Sequence, residues 1–409
     1  MSILIALLSI GVLEIGTRCF FPGLAFSIKE SFIEYLYRVN MRKNINAGKI
    51  QDIIIIDINF ESCKLNKSRM PNHKEIAEAL CLLSKLRPSC IFLDLSMDFK
   101  EPDSIDIYAG NILSAVNNLG LAGVFVPNRE GGDLLDINLN PIDRFNLPYL
   151  NYAEGICKMD DNHYAEFPLS SFMSSCRFFG FLNVFYDQQG RVTHIPIAYQ
   201  YKEKIYPSAI LSMYSLLKGF SLDSVMLKAK YLQIRDQKVP LENGCFRFMP
   251  QGPEGTFTLV PFFKLNALRE EHIKNKVVFI GRSLGIQDKH AIKSGRLIFG
   301  TEILANALYC LLHEKYTRIV SEWIIYLIAI LNSLVICILA LQKRLNLAIM
   351  WVAISIILVM VLSVFAVHHG YLFNPYIIIS ASIISLLLCC AFIYNFSDEA
   401  IPHKKAQNK

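Results

Sequence analysis

Five positions in this chain have the residue types and spacing for ligand chemistry. Asp57 lies near the end of an apolar run, DIIIIDI over residues 52–58, and Asp94 lies near the end of another, CIFLDL over residues 90–95. Gly281 directly follows a third, KVVFI over residues 276–280. Continuous apolar runs of this length, bounded by polar residues, predict strands buried on both faces of a parallel sheet. Open α/β sheets take their ligands at the carboxyl ends of such strands, where loops and helix N-termini converge. Asp98 and Asp288 follow two of these strands closely enough to add carboxylates. A cluster of this kind suits a cationic ligand or a divalent ion, which seeks oxygen donors. The competing reading is structural, because aspartates after strands commonly cap helices or brace loops.

Nothing else in the sequence argues for catalysis. There is no Gly-x-Ser-x-Gly elbow, no His-Glu-x-x-His and no phosphate-binding glycine loop. His163, His290, His368 and His369 have no partners at ligand spacing. The eleven cysteines form no Cys-x-x-Cys pair, and the expectation is buried small hydrophobes rather than metal ligands. A net charge of +6 without a dense Lys/Arg block gives no nucleic-acid footprint. No enzyme, metal or cofactor is expected.

The elements that would position the five residues can be read in order. Asn72 is a suitable N-cap for a helix with Ile76, Leu80 and Leu83 on its inner face. Ile105, Ile112, Val116 and Leu119 fit a second helix, and residues 123–127 a third strand. This βαβαβ order implies a parallel sheet with right-handed crossovers. Residues 130–150 read as a loop; the EGGDL at 130–134 looks like a diguanylate cyclase signature but lacks its final Glu-Phe, so a turn is expected. Residues 178–184 and 192–201 flank a turn at 187–191, which predicts a hairpin. Helices are expected over 207–217 and 301–313, with shorter strands near Tyr231 and Phe257. The expected fold is an α/β extracytoplasmic domain with a mainly parallel sheet and an added β-hairpin, plus four transmembrane α-helices.

The membrane assignment follows from uneven hydropathy. The composition is 53% hydrophobic and 19% charged. Residues 323–341, 347–367 and 376–396 contain no Asp, Glu, Lys or Arg. Each is close to the ~20 residues a helix needs to cross ~30 Å of hydrocarbon. Lys343 and Arg344 mark the first linker as cytoplasmic, as Lys404, Lys405 and Lys409 mark the tail; the linker at 368–375 has no Lys or Arg. Residues 3–28 are the fourth candidate, with Glu14 and Arg18 four apart and able to pair. Four spans put both termini inside and the intervening domain outside. The expected organisation is 1–28 as the first span, 29–322 as the outer domain, 323–396 as three spans and 397–409 as a short tail.

These landmarks, in this order, resemble the extracellular sensory domain named CHASE, type two. Its early strand ends in an Asp with a Ser soon after, as in residues 57–62. Met70-Pro71-Asn72-His73 matches its first helix start, and residues 92–99 match its strand with Asp and Phe at the end. Gly180 to Asn183, then Asp187 to Val192, match its hairpin signature; Tyr206-Pro207-Ser208 matches a helix start. Lys276 to Gly281, Asp288 and Gly300 to Asn306 match its last strand and helix. The family usually continues into a cytoplasmic cyclase, kinase or other output module, whereas this chain ends about 13 residues after Phe396. The resemblance therefore implies a sensor whose signalling enzyme is a separate polypeptide or absent.

Expected partners are the lipid bilayer, an extracytoplasmic ligand or protein, and a separate signalling partner in the membrane or cytoplasm; a homodimer is compatible with this organisation. The expected location is a bacterial inner membrane, with the domain in the periplasm or outside the cell. Asn332 could bond between helices. A scaffold presenting a docking domain is the alternative, and a transporter ranks lower because the last three spans have no charged groups.

Overall fold

The structure is a computed structural model describing residues 1–15, 22–45, 49–66, 69–127, 142–147, 155–159 and 163–406. It divides into two compact units, Met41–Tyr316 and a helical unit of Met1–Asn40 with Thr317–Lys409.

The first unit is built on a seven-stranded sheet. Phe257–Pro261, Ile50–Asn59, Val277–Ser283, Cys90–Asp94 and Leu119–Pro127 run parallel in that order. Phe178–Phe181 adds a further parallel strand, and His163–Glu166 pairs antiparallel with the end of Leu119–Pro127. Alternate residues bury opposite faces. Ile53, Ile55, Phe92 and Phe279 share one cluster with Ile303, Leu304 and Leu308 of the Gly300–Leu312 helix and with Ala209–Lys218. Ile54, Ile56, Leu93 and Ile280 share the other with the His73–Lys85 and Asp103–Leu113 helices. Both faces are covered, which is why these strands are apolar throughout. The His73–Lys85 helix begins at Asn72 in a full capping box with Glu75.

Three expectations change. Leu119 opens the third strand instead of extending the second helix, which ends at Leu113. Phe178–Phe181 belongs to the main sheet and not to the hairpin, whose strands are Phe185–Tyr186 and Arg191–Pro196. The reason is Asn183: its amide accepts from Phe125 N–H and donates to Phe125 O, both at 2.8 Å, and so occupies the edge where a strand would continue. After Pro196 the chain passes to another sheet, where Ala198–Tyr201 pairs with Lys204–Pro207. The hairpin turn is held by Asp187, which accepts from the N–H groups of Gln189 and Arg191 and pairs with buried Arg191 and Lys293.

In the helical unit, Glu322–Leu341, Leu345–His368 and Tyr376–Tyr394 are long and apolar enough to cross a membrane. Their packing is inside out. Leu331, Ile357, Val361, Phe365 and Leu387 are exposed, while Ala329, Ser333, Cys337, Ala381, Ser385 and Cys389 are fully buried. Only an apolar solvent favours that distribution, and small residues let helix backbones approach. Ala329 shares a cluster with Ala381, and Cys337 one with Cys389, so the first and third helices run parallel along a seam repeating every fourth residue. Asn332 crosses to both neighbours: its amide donates to Ser382 Oγ at 2.7 Å, and its oxygen accepts from Trp351 Nε1 at 2.9 Å. Arg318–Ile319 pairs with Tyr371–Leu372, joining the segment before the first of these helices to the linker between the second and third.

Of the expected single helix over residues 3–28, Ser2–Ile15 and the start of Pro22–Ile45 are helical, while residues 16–21, with Arg18, and the Glu14 side chain lie outside the described residues. The Ser2–Ile15 part spans about 21 Å at 1.5 Å per residue. It packs in the bundle: Leu13 clusters with Ile325 and Ala329, Ile5 with Cys337 and Ala340. It is therefore antiparallel to Glu322–Leu341. Residues 130–134 also lie outside the described residues. The ten described cysteines are unpaired, most of them buried.

Gly180 permits the Ala209–Lys218 helix to start against the sheet. A Cβ there would lie 2.4 Å from Ala209 N and 2.6 Å from Ser208 C, and backbone cannot step aside. Gly180→Ala should therefore destabilise the protein by about 1–3 kcal/mol, read as an earlier denaturant midpoint by circular dichroism; an unchanged midpoint would contradict this packing.

Candidate functional site

Three of the five sequence-selected residues end adjacent strands in register. Asp57 pairs with Gly281 and Gly281 with Asp94, so all three project toward the face that carries the Gly300–Leu312 helix. Between the two aspartates stands Thr301, the second residue of that helix. A Cβ on Gly281 would lie 2.0 Å from Thr301 Oγ1 and 2.9 Å from its Cβ. Glycine at 281 thus lets the helix N-terminus down onto the sheet edge. The Thr301 hydroxyl donates to Asp94 Oδ2, and the Ser283 hydroxyl to Asp57 Oδ1. Phe299 provides no side-chain cap, so these acidic groups stand near the positive end of the helix dipole. The structural role foreseen for aspartates after strands is real here.

Asp94, Asp98 and Asp288 also line an open cleft above this edge, whereas Asp57 and Gly281 are not among its walls. The cleft comprises two adjoining cavities of about 530 and 370 Å³ that share Asp94, Val124, Leu182, Arg282, His290 and Gly300. Asp98 is exposed and accepts from the Ser96 hydroxyl. Asp288 holds Arg282 at 2.9 Å and accepts from Leu284 N–H at 2.9 Å. His290, expected to be without a partner, accepts from or donates to the Tyr186 hydroxyl at 2.7 Å through Nδ1.

Arg282, Thr301, Tyr186 and Glu302 were not singled out for the site. Arg282 follows Gly281 directly, but strand alternation turns it to the opposite face, so spacing alone does not bring it to the cleft. Thr301 and Glu302 sit inside the Gly300 to Asn306 match, whose signal is compatible with either role. Glu302 is 2% exposed; one oxygen accepts from Gly255 N–H at 2.7 Å and the other has no hydrogen-bond partner. Asn306 accepts from Gln251 N–H at 2.8 Å, so the two residues together brace the loop before Phe257.

Among the described residues, one His/carboxylate group has metal-like spacing. His73, Glu101 and Asp106 bring ligand atoms within 4.8 Å of one another. They bond to one another: His73 Nδ1 meets Asp106 Oδ1 at 2.7 Å, and Glu101 accepts the His73 backbone N–H at 3.1 Å, while His73 Nε2 is buried without a hydrogen-bond partner. With the ring packed on Phe99 and Phe172, this group ties the starts of two helices.

Burial pushes the Asp94 carboxyl up to about 7, against the opposing Thr301 bond and the Arg282 charge. Burial likewise pushes Glu302 up to about 7 despite the bond from Gly255, and raises Asp57 against its bonds from Ser283 and Asn59. A group whose pKa is higher folded than unfolded contributes stability that is complete below the unfolded value and lost as pH rises through the folded one. The protein should therefore lose stability between roughly pH 4 and pH 7 through these carboxyls. Melting curves across that range should show a smaller loss in Asp94→Asn combined with Glu302→Gln. An equal loss in the double variant would refute the assignment.

Comparison with curated proteins and with solved structures returned no match. The family model described as the CHASE2 domain matches residues 4–340, more than half of the chain and including the whole α/β unit. That family is a sensory, extracellular and non-catalytic domain. The chain belongs to the CHASE2 domain family.

Proposed function

We propose that this protein is a membrane-bound sensor whose α/β unit lies outside the cytoplasm, binds a ligand over the carboxyl edge of its sheet, and signals through a separate partner. The carrying observation is the cleft above Asp94, at the edge where Asp57, Gly281 and Asp94 stand in register. Asp94, Asp98 and Asp288 would face the ligand; Asp57 and Gly281 would shape the edge beneath it. The proposed limits are 29–322 for the outer domain, 323–396 for three spans and 397–409 for a cytoplasmic tail, with residues 1–28 as a first span. Lys343 and Arg344 support that direction, as does the pairing of Arg318–Ile319 with Tyr371–Leu372, which puts both segments at one end of the bundle. The location that fits is a bacterial inner membrane. A ligand can act across it only by binding one helix arrangement better than another.

A docking scaffold is the second reading, favoured by apolar side chains near the same edge. Phe60, Leu65 and Ile286 are 68%, 66% and 77% exposed. The two readings separate by cross-linking. A sensor should show helix cross-links within the bundle that change on adding periplasmic extract. A scaffold should show a stable co-purifying partner and unchanged cross-links. Location is tested by an alkaline phosphatase fusion at the Lys202–Glu203 turn, which should be active; activity only of a reporter that works in the cytosol would sink the sensor reading.

A further inference from the structure

We propose that the cleft takes a small organic amine, with its ammonium group on Asp94 and Asp98 and its apolar body against Met70, Phe99 and Leu182. This rests on the cleft being the ligand site and adds the chemical class of the ligand.

The argument is an inventory of which polar groups in the cleft are already satisfied. Arg282 is ion-paired, its Nε and one terminal nitrogen donating to Asp288 Oδ1 at 3.2 and 2.9 Å. The other Asp288 oxygen is taken by Leu284 N–H. His290 Nδ1 is engaged with Tyr186. The carboxylates of Asp94 and Asp98 are only half used: Thr301 occupies Oδ2 of the first and Ser96 occupies Oδ1 of the second. Among the described residues, no protein donor reaches the remaining oxygen of either.

The cleft therefore presents unfilled acceptors of negative charge, while its arginine is already neutralised. An anion would meet those two carboxylates and would have to compete with Asp288 for Arg282. A bare divalent ion would need several more oxygen ligands, yet much of the lining is apolar, with Met70, Pro71, Met97, Phe99, Leu182 and Val124. An alkylammonium group supplies N–H donors and positive charge together, and its hydrocarbon suits the walls. A half-exposed aromatic ring such as Phe99 also attracts cations through its face.

Asp94 shares the cleft with Asp98, Asp288, Arg282 and His290, and packs against Thr301 of the covering helix. Because burial holds its carboxyl near about 7, amine binding should strengthen as pH rises from 6 to 8 and Asp94 ionises. An alkylammonium remains charged to roughly pH 10, as a lysine does.

The test is calorimetric titration of the full chain in lipid nanodiscs with 2-phenylethylamine, 2-phenylethanol, phenylacetate and calcium chloride. The amine should bind, and bind more tightly at pH 8 than at pH 6. Asp94→Asn, which preserves shape and the partner for Thr301, should weaken it by about ten- to a hundredfold, the range for losing a charge-assisted hydrogen bond. Asp98→Asn, at an exposed position, should weaken it less. Preference for phenylacetate, calcium binding that Asp94→Asn removes, amine binding indifferent to Asp94→Asn, or no binding by the amine would each overturn the amine assignment. Leu182→Trp, which adds bulk at a wall the two cavities share, separates the two levels. If it abolishes binding of the acid or the alcohol, the cleft stands and only the amine falls; if bound probes ignore it, the cleft itself is not the site. Unchanged melting of each variant at pH 5 checks that it is folded.

Discussion

Position 281 can carry no side chain, and the chemistry of the sheet edge follows from that. With glycine there, the Gly300–Leu312 helix descends until Thr301 fills the gap between two strand-end aspartates. The Thr301 hydroxyl then fixes one oxygen of Asp94 and leaves the other facing the cleft. The same approach buries Glu302 in the first turn, close enough to Asp57 and Glu254 for their charges to be felt. The raised carboxyls at this edge follow from burial where the helix start packs on the sheet. Burial of acidic groups without full compensation is costly. Of these carboxyls Asp94 lines the cleft, which is the physical ground for proposing a role at this edge.

The sheet was legible because burial on both faces leaves a strong mark. Residues 52–58, 90–95 and 276–280 could hardly be anything but central parallel strands, and Asp57, Asp94 and Gly281 fell at their ends. What could not be read was edge chemistry set by distant partners. Nothing local in residues 178–184 says that Phe178–Phe181 will pair with Leu119–Pro127 while Asn183 closes the edge at Phe125. Period-2 alternation on either side of a good turn predicted a hairpin, and only the tertiary pairing divided it. Leu119 failed similarly: helical spacing continued past the true end of the helix, and strand pairing with Ile91 prevailed.

Several landmarks that matched the family serve the fold. Gly180 makes room for a helix start, Asn183 substitutes for a strand, Asp187 anchors a hairpin turn, and Asn306 holds a loop. Asn183 and Asn306 satisfy backbone groups that would otherwise lack partners, a loss of about 1–3 kcal/mol for each. They explain why the architecture is recognisable, and they do not select a ligand. Asp98, Arg282 and Phe99 differ in that they line the open cleft, where their side chains hold no backbone group in place.

The helical unit has complementary physics. Along the seam between the first and third membrane helices, Ala329, Ser333 and Cys337 face Ala381, Ser385 and Cys389, all small and four residues apart. A slide by one turn, about 5.4 Å, would again set small against small, so van der Waals packing alone distinguishes the two registers weakly. Asn332 distinguishes them, because its bond to Ser382 exists in one register only. Interhelical hydrogen bonds in membranes contribute about 0.6 kcal/mol on average and reach roughly 1.7. A preference of that size is within reach of the differential binding energy a small ligand provides. A bundle interlocked by large side chains would hold its register more firmly than this small-residue seam, in which Asn332 supplies the directional contact.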